Sequence, residues 1–174
     1  VVEAELGRFR VPENRERPDG RTIGLAFVRF PSTSRAPGPP IVYLAGGPGG
    51  SGVEAARGSR FALFQALREV ADVIAFDQRG TGLSDRLPDC PYQVSIPTDA
   101  PDSYAAAVAA VTETTRACAA HWRGLGVDLD AYNTAESADD VDALREALGA
   151  EKVSLWAISY GTHLALATIR RHPG

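Results

Sequence analysis

The stretch Val153-Ser154-Leu155-Trp156-Ala157-Ile158-Ser159-Tyr160-Gly161-Thr162 constrains this chain most, because an apolar run stops at a serine and a helix-like stretch begins directly after it. A serine hydroxyl is a poor nucleophile at neutral pH. A tight strand-to-helix turn lifts it out of a sheet and aims the next helix's N-terminus at it. Small residues two before and two after the serine let the two backbones approach closely. Gly161 meets that requirement and Ala157 exceeds glycine by one methyl group, so the pattern is A-x-S-x-G. The competing reading is a buried strand that turns into a helix at an incidental serine, and the rest of the chain has to decide between them.

Strand-like and helix-like segments alternate along the chain. Residues 1–21 hold a short apolar stretch and then the polar turn Pro12–Gly20, and Thr22–Phe30 alternates with Ile23, Leu25 and Phe27 on one face. This predicts a leading antiparallel hairpin whose second strand is half-buried. A Pro/Ser/Gly linker, Pro31–Pro40, leads into Ile41-Val42-Tyr43-Leu44, continuous enough in apolar residues for a buried parallel strand. Gly46–Gly52, one helix over about Val53–Val70 and the strand Val73–Phe76 complete a βαβ unit. Beyond Asp77–Ser84, a loop over Pro88–Pro101 precedes an Ala-rich helix from Ser103 to about Trp122. Ser137-x-x-Asp140 reads as a capping box opening a helix with Val141, Leu144 and Leu148 on one stripe. The pattern predicts an α/β fold with a mostly parallel sheet.

Composition narrows the function classes. Eighteen basic and 22 acidic side chains give a net charge of -4, which argues against nucleic acid or an anionic membrane as partner. No apolar run approaches the length of a membrane span, and no signal-peptide pattern is present. The absence of methionine, position 1 included, leads to the expectation that the chain is not a primary translation product. Cys90 and Cys118 are too far apart for a CxxC redox or zinc pattern. They are either one disulfide or two thiols, and pairing is the expectation. One follows the loop after the second buried strand; the other lies on the helix that folds back over it. A secreted or extracytoplasmic location is favoured over a cytoplasmic one.

Gly46–Gly52 follows a strand and precedes a helix, so its N–H groups can face an anion. That anion is either the oxyanion of an acyl transfer or a pyrophosphate, since Gly47-x-Gly49-x-x-Gly52 also fits the dinucleotide fingerprint. Pro48 removes one donor, and the acid expected to read a ribose would be Asp77, which instead opens a glycine turn, so the oxyanion is favoured. A purely steric turn is the bland alternative. Asp77 and Arg79 are expected to pair and hold their turn, with Gly80 and Gly82 letting the backbone curl. The three histidines are His121, His163 and His172. None is placed to serve Ser159: His163 points along the side of the helix, His172 lies at its far end, and nothing pins His121 near the site.

With the elbow, the glycine loop and the second turn in hand, the chain resembles the N-terminal part of an α/β-hydrolase of the prolyl aminopeptidase and tripeptidyl aminopeptidase branch. The matching stretches are Ala45–Gly52, Asp77–Ser84, Tyr132–Asp140 and Trp156–Thr162, in the family's order. The resemblance implies that Ser159 is the nucleophile and that the N–H groups of Gly47 and Tyr160 form the oxyanion hole. Ala45, where many relatives carry His, and Ala157, where most carry Gly, are departures from the pattern. The family implies release of amino acids or short peptides from a free N-terminus through an acyl-enzyme, without metal or cofactor. Esters, amides and lactones stay open as substrates, as does a hydrolase-like protein that only binds. Triad order in this fold is Ser, acid, His, so the acid, the histidine, the remaining strands and a cap are expected outside this chain. The elbow strand is then expected to be an unpaired apolar edge that packs against a complementary C-terminal chain or fragment of the same hydrolase.

Overall fold

The computed structural model describes residues 2–95 and 104–173. These fall into two compact units, one built from residues up to Arg86 together with those from Ala131 onward, the other spanning Leu87–Asp130.

The larger unit is a five-stranded sheet with helices on both faces. In chain order its elements are β1 (Glu5–Pro12), β2 (Thr22–Phe30), β3 (Gly38–Leu44), α1 (Gly52–Arg57), α2 (Phe61–Leu67) and β4 (Ala71–Asp77). The other unit's helix α3 (Tyr104–Gly124) intervenes before α4 (Thr134–Ala147), β5 (Ser154–Ala157) and α5 (Tyr160–Arg171). The strand order is β1-β2-β4-β3-β5. β1 and β2 form the expected hairpin, β2 also runs antiparallel to β4, and β4, β3 and β5 run parallel. Paired with β1 along its length and with β4 over Ala26–Phe30, β2 is covered on both faces rather than half-buried: Ile23 and Leu25 join one core and Phe30 joins the other. On one face, Leu25, Val42, Leu44, Ile74 and Phe76 pack under Val141 and Leu144 of α4 and Leu164 of α5. On the other, Tyr43, Val73 and Ala75 pack under Val53 and Ala56 of α1 and Phe64 of α2. There the rings of Tyr43, Phe64 and Trp156 lie 4.7–5.3 Å apart between centroids, spacings that favour tilted aromatic packing.

Two helices depart from the sequence reading. The single helix expected over Val53–Val70 is broken into α1 and α2, because Gly58 leaves the helical region at ψ -129° while its N–H still closes α1 on the Glu54 carbonyl. The capping box does not open α4 at Ser137. Asn133 caps it one turn earlier, its side chain accepting from the Glu136 N–H at 2.9 Å, and Ser137 Oγ turns back to the Asn133 carbonyl. The linker after Pro31 is also shorter than expected, since β3 starts at Gly38.

In the smaller unit, α3 is joined to the preceding segment by a Cys90–Cys118 disulfide, as expected, and by a 2.7 Å bond from the Trp122 indole to the Pro88 carbonyl. The expected loop over Pro88–Pro101 is described only as far as residue 95, and the expected helix start at Ser103 lies outside the described residues. No helix among the described residues is long and apolar enough to cross a membrane.

Candidate active site

Parallel pairing of β5 with β3 sets the site, because the register Leu44↔Ala157 brings the ends of both strands to one level. The pairing extends one residue further, where the Ile158 N–H donates to the Leu44 carbonyl at 3.2 Å. The chain then reverses into α5 through Ser159, whose φ of 53° and ψ of -124° make it the one non-glycine residue at positive φ among those described. Such a backbone costs about 1–3 kcal/mol and persists only where its surroundings over-determine it. Two glycines do so here. A Cβ on Gly161 would run into the Leu44 carbonyl oxygen, so α5 is seated directly on the end of β3. A Cβ on Gly46 would lie 2.8 Å from Ser159 Cβ and 3.4 Å from its Oγ, so the glycine loop abuts the serine. Ser159 is exposed, and as N-cap its side chain makes no capping bond. The hydroxyl is therefore open to a ligand.

The donors around it follow from the same geometry. At the start of α5 the Gly161 N–H bonds the Ile158 carbonyl and the Thr162 N–H bonds the Ser159 carbonyl. The Tyr160 N–H, one of the orphan donors of a helix start, has no acceptor among the described residues. The loop closes on itself through Gly50 N–H to the Gly46 carbonyl, with Gly47 and Gly49 at φ 117° and 102°. The Gly47 N–H likewise has no acceptor among the described residues. Thus the loop and the elbow, 112 residues apart in the comparison of Gly47 with Ser159, meet at one serine with two free donors.

Asp77 and Arg79 do not pair, contrary to expectation. Asp77, fully buried, accepts from Ser51 Oγ at 2.7 Å, from the Val53 N–H at 3.1 Å and from the Leu83 N–H at 2.8 Å. It joins the glycine loop and α1 to the following turn, where Gly80 and Gly82 take φ of 75° and 53°. A side chain on Gly82 would strike the Asp77 carboxylate. With its oxygens so engaged, Asp77 is unsuited to read a ribose, which removes the support for a dinucleotide site. Gln78 Nε2 bonds the Ala45 carbonyl at 3.1 Å, tying this turn to the residue before the loop.

Arg79 belongs to a buried network that sequence reasoning missed. Its guanidinium grips Asp140 through two bonds of 2.7 and 2.8 Å, approaches Glu136 at 3.3 Å, and donates to the Glu13 and Ala131 carbonyls. Arg15 reaches the same two carboxylates at 2.7 and 2.8 Å. Burial opposes the Arg15 charge, but Asp140 and Glu136 outweigh it and hold its pKa above the ordinary value. Tyr132 donates to Glu13 at 2.9 Å; burial first, and then that bond and the Glu13 charge, push its pKa well up. The hairpin turn, the Asp77–Ser84 turn and the N-terminus of α4 are thereby fastened together.

None of the histidines of this unit meets Ser159. His172 lies at the far end of α5, 2.8 Å from Asp139 and 3.4 Å from Asp142. His163 is exposed on α5, with its ring 6.0 Å from that of Tyr160. In the other unit, His121 stands edge-on to Tyr92. Among the described residues there is no cluster of three or more potential metal ligands.

An elbow serine at positive φ, a glycine loop against it and a sheet with helices on both faces define an α/β-hydrolase core. Residues 39–174 match the alpha/beta hydrolase fold family, and the chain belongs to it. It is 34% identical over 188 residues to the serine protease Hip1 of Mycobacterium tuberculosis, covering 98% of this chain and 34% of that protein. It is 30% identical to the tripeptidyl aminopeptidase of Streptomyces coelicolor, covering 92% of this chain and 31% of that protein. Among solved structures, the proline iminopeptidase of Mycobacterium smegmatis superposes with a TM-score of 0.56 at 22% identity, over 96% of this chain and 40% of the other, a likeness of fold. The chain thus spans about a third of the length of the curated relatives it matches.

Proposed function

We propose that this chain is the nucleophile-bearing part of a serine hydrolase that releases amino acids or short peptides from a free N-terminus. The observation that carries the reading is Ser159, held at φ 53° against Gly46 with the free N–H groups of Gly47 and Tyr160 beside it. Ser159 Oγ attacks the scissile carbonyl while a histidine takes its proton. The carbonyl oxygen becomes an oxyanion facing the Gly47 and Tyr160 N–H groups, donors already in place when the charge develops. Collapse expels the amine, which receives the proton, and water then cleaves the acyl-enzyme by the same route. No step calls for a metal or cofactor.

The histidine and its orienting acid are assigned to sequence beyond these 174 residues, together with the cap that reads the substrate's amino group. Two observations support this: the curated relatives are about three times as long, and among the described residues β5 is an edge strand paired with β3 alone. The occupant of that edge is the remainder of the same hydrolase, as one polypeptide or as a complementary fragment. The Cys90–Cys118 disulfide favours an oxidising, extracytoplasmic location.

Treatment of the full-length enzyme with a fluorophosphonate should place the adduct on Ser159, and Ser159→Ala should abolish labelling and lower turnover by several orders of magnitude. Unchanged turnover rules the assignment out. Peptide amides tested against simple esters and lactones separate an aminopeptidase from an esterase of the same fold, and labelling of Ser159 separates both from a binder.

A further inference from the structure

The free donor of α5 sits on a residue whose side chain is anchored elsewhere. Tyr160 is the first residue of α5, and its phenol lies 2.9 Å from Oγ1 of Thr134, the first residue of α4. Two helix N-termini are therefore linked through their side chains. The α4 end of this link is firmly held. Asn133 caps it through the Glu136 N–H, Ser137 Oγ bonds the Asn133 carbonyl, and Glu136 and Asp140 are gripped by Arg15 and Arg79. At the α5 end the N-cap side chain contributes no bond and Thr162 Oγ1 donates to the Ser159 carbonyl at 2.6 Å, while Ser159 itself is in a strained backbone conformation. On the strand side, Gly46 and Leu44 limit how the elbow can relax. On the helix side, the Tyr160 ring packs against the core beneath α4 and α5, and its bond to Thr134 is the side-chain hydrogen bond that fixes the phenol.

We propose that Thr134 is a positioning residue, whose hydrogen bond to the Tyr160 phenol fixes the Tyr160 backbone N–H at the oxyanion position. The proposal rests on the serine-hydrolase reading above. Both Thr134 and Tyr160 are partly buried, so water competes weakly for this bond. Once it is lost, only apolar packing holds the ring, and the first turn of α5 can shift by a fraction of an ångström. A donor must lie within about 2.7–3.1 Å of the developing oxyanion to be effective, and a shift of that size takes it out of range. The ground-state carbonyl carries far less charge than the transition state, so the effect falls on kcat.

The test uses the full-length enzyme with a chromogenic peptide amide and a peptide boronic acid, whose tetrahedral adduct mimics the oxyanion intermediate. Deleting one oxyanion donor outright costs about 10²–10³-fold in kcat, so loosening one is expected to cost about tenfold. Thr134→Val, which removes the hydroxyl at nearly constant volume, should lower kcat about tenfold with KM within twofold. Affinity for the boronic acid should fall by the same factor. Tyr160→Phe removes the same bond from the other side and should match it, the double variant should be no worse than either single one, and Thr134→Ser should restore activity. If Thr134→Val does not fold, Tyr160→Phe carries the test alone. Full kcat and boronate affinity in these variants, or a loss confined to KM, overturns the positioning role while fluorophosphonate still labels Ser159. An unmodified enzyme that is not labelled at Ser159 overturns the serine-hydrolase reading and the proposal with it.

Discussion

Replacing Asp140 by Ala should be among the most damaging single changes outside the elbow, and the charge count of its surroundings shows why. Two guanidiniums, Arg15 and Arg79, face two carboxylates, Glu136 and Asp140, so the network is neutral as it stands. The Arg79 and Asp140 side chains are 2% and 0% exposed, and neither charge can be rescued by water. Asp140→Ala removes three hydrogen bonds, two from Arg79 and one from Arg15, and leaves one buried positive charge in excess. Breaking a buried ion pair from one side costs about 3–5 kcal/mol, a large part of the roughly 5–15 kcal/mol that holds a folded protein together. Arg79→Met combined with Asp140→Ala removes one charge of each sign and should cost less than the two single changes added. It still leaves the Glu13 and Ala131 carbonyls without their donor, at about 1–3 kcal/mol each at most. Denaturant unfolding followed by Trp156 fluorescence, in a Trp122→Phe background, reports on this unit because Trp156 packs against Tyr43 and Phe64. A cost below about 1 kcal/mol for Asp140→Ala, or strict additivity in the double variant, would refute the argument.

Gly161→Ala should destabilise by about 1–3 kcal/mol through overpacking against the Leu44 carbonyl, and should abolish most Ser159 labelling even where the protein still folds; unchanged labelling counts against it. Reducing Cys90–Cys118, which are 28 positions apart, should remove about 3 kcal/mol from the smaller unit, seen as new proteolytic cleavage within residues 87–130 on adding a thiol. Asp139 is opposed by burial but held below the ordinary aspartate value of 3.8 by bonds from Arg171 and His172. A carboxylate with a lowered folded-state pKa stabilises fully above the unfolded value and loses that contribution as pH falls through the folded one. The Asp139→Asn variant should therefore be less stable than the parent protein at pH 5–7, and the difference should shrink as pH falls below the ordinary aspartate value, in urea titrations. The difference should be small and salt-sensitive, since Arg171 is nearly half exposed.

The parts legible in the sequence are those fixed by local chemistry. The elbow, the glycine loop and the parallel strands β3 and β4 rest on runs of ten residues or fewer, in which small residues and apolar continuity already imply close backbone approach. What was hidden depends on strand order and on partners far away. Burial of β2 on both faces follows from the cores packed above and below the sheet, which alternation in Thr22–Phe30 cannot reveal. Arg79 looked like the natural partner of Asp77 two residues off; its actual partners, Glu136 and Asp140, are 57 and 61 residues away. A signal for α4 did exist. Asn133-x-x-Glu136 is itself a capping pattern one turn before Ser137-x-x-Asp140, and the apolar stripe at Ala138, Val141 and Leu144 fits either start. The buried carboxylates at 136 and 140 are what mark the first turn as facing inward.

One groove of this unit lies away from Ser159. This groove, of about 900 Å³, is lined by Val153 and Leu155 of the β5 side, Val141 and Arg145 of α4, and Thr168 and His172 at the end of α5. Those residues lie toward the start of β5 and the end of α5, whereas Ser159 stands where β5 ends and α5 begins. The groove marks an interruption in the layers: among the described residues β5 offers its outer edge unpaired, and Leu166 and Ile169 of α5 are 68% and 56% exposed beside it. An open edge next to apolar helix surface is a template for another strand and helix, which natural folds do not leave uncovered. This separates two tasks. The elements in hand hold the serine, its strained turn and its two donors through contacts that are internal to them: Gly46 on Ser159, Gly161 on Leu44, and Thr134 on Tyr160. The proton carrier is the one component that none of those contacts fixes. On the proposed reading it arrives with whatever completes the sheet beyond β5, so oxyanion stabilisation is built into this part of the fold and general-base catalysis depends on covering its edge.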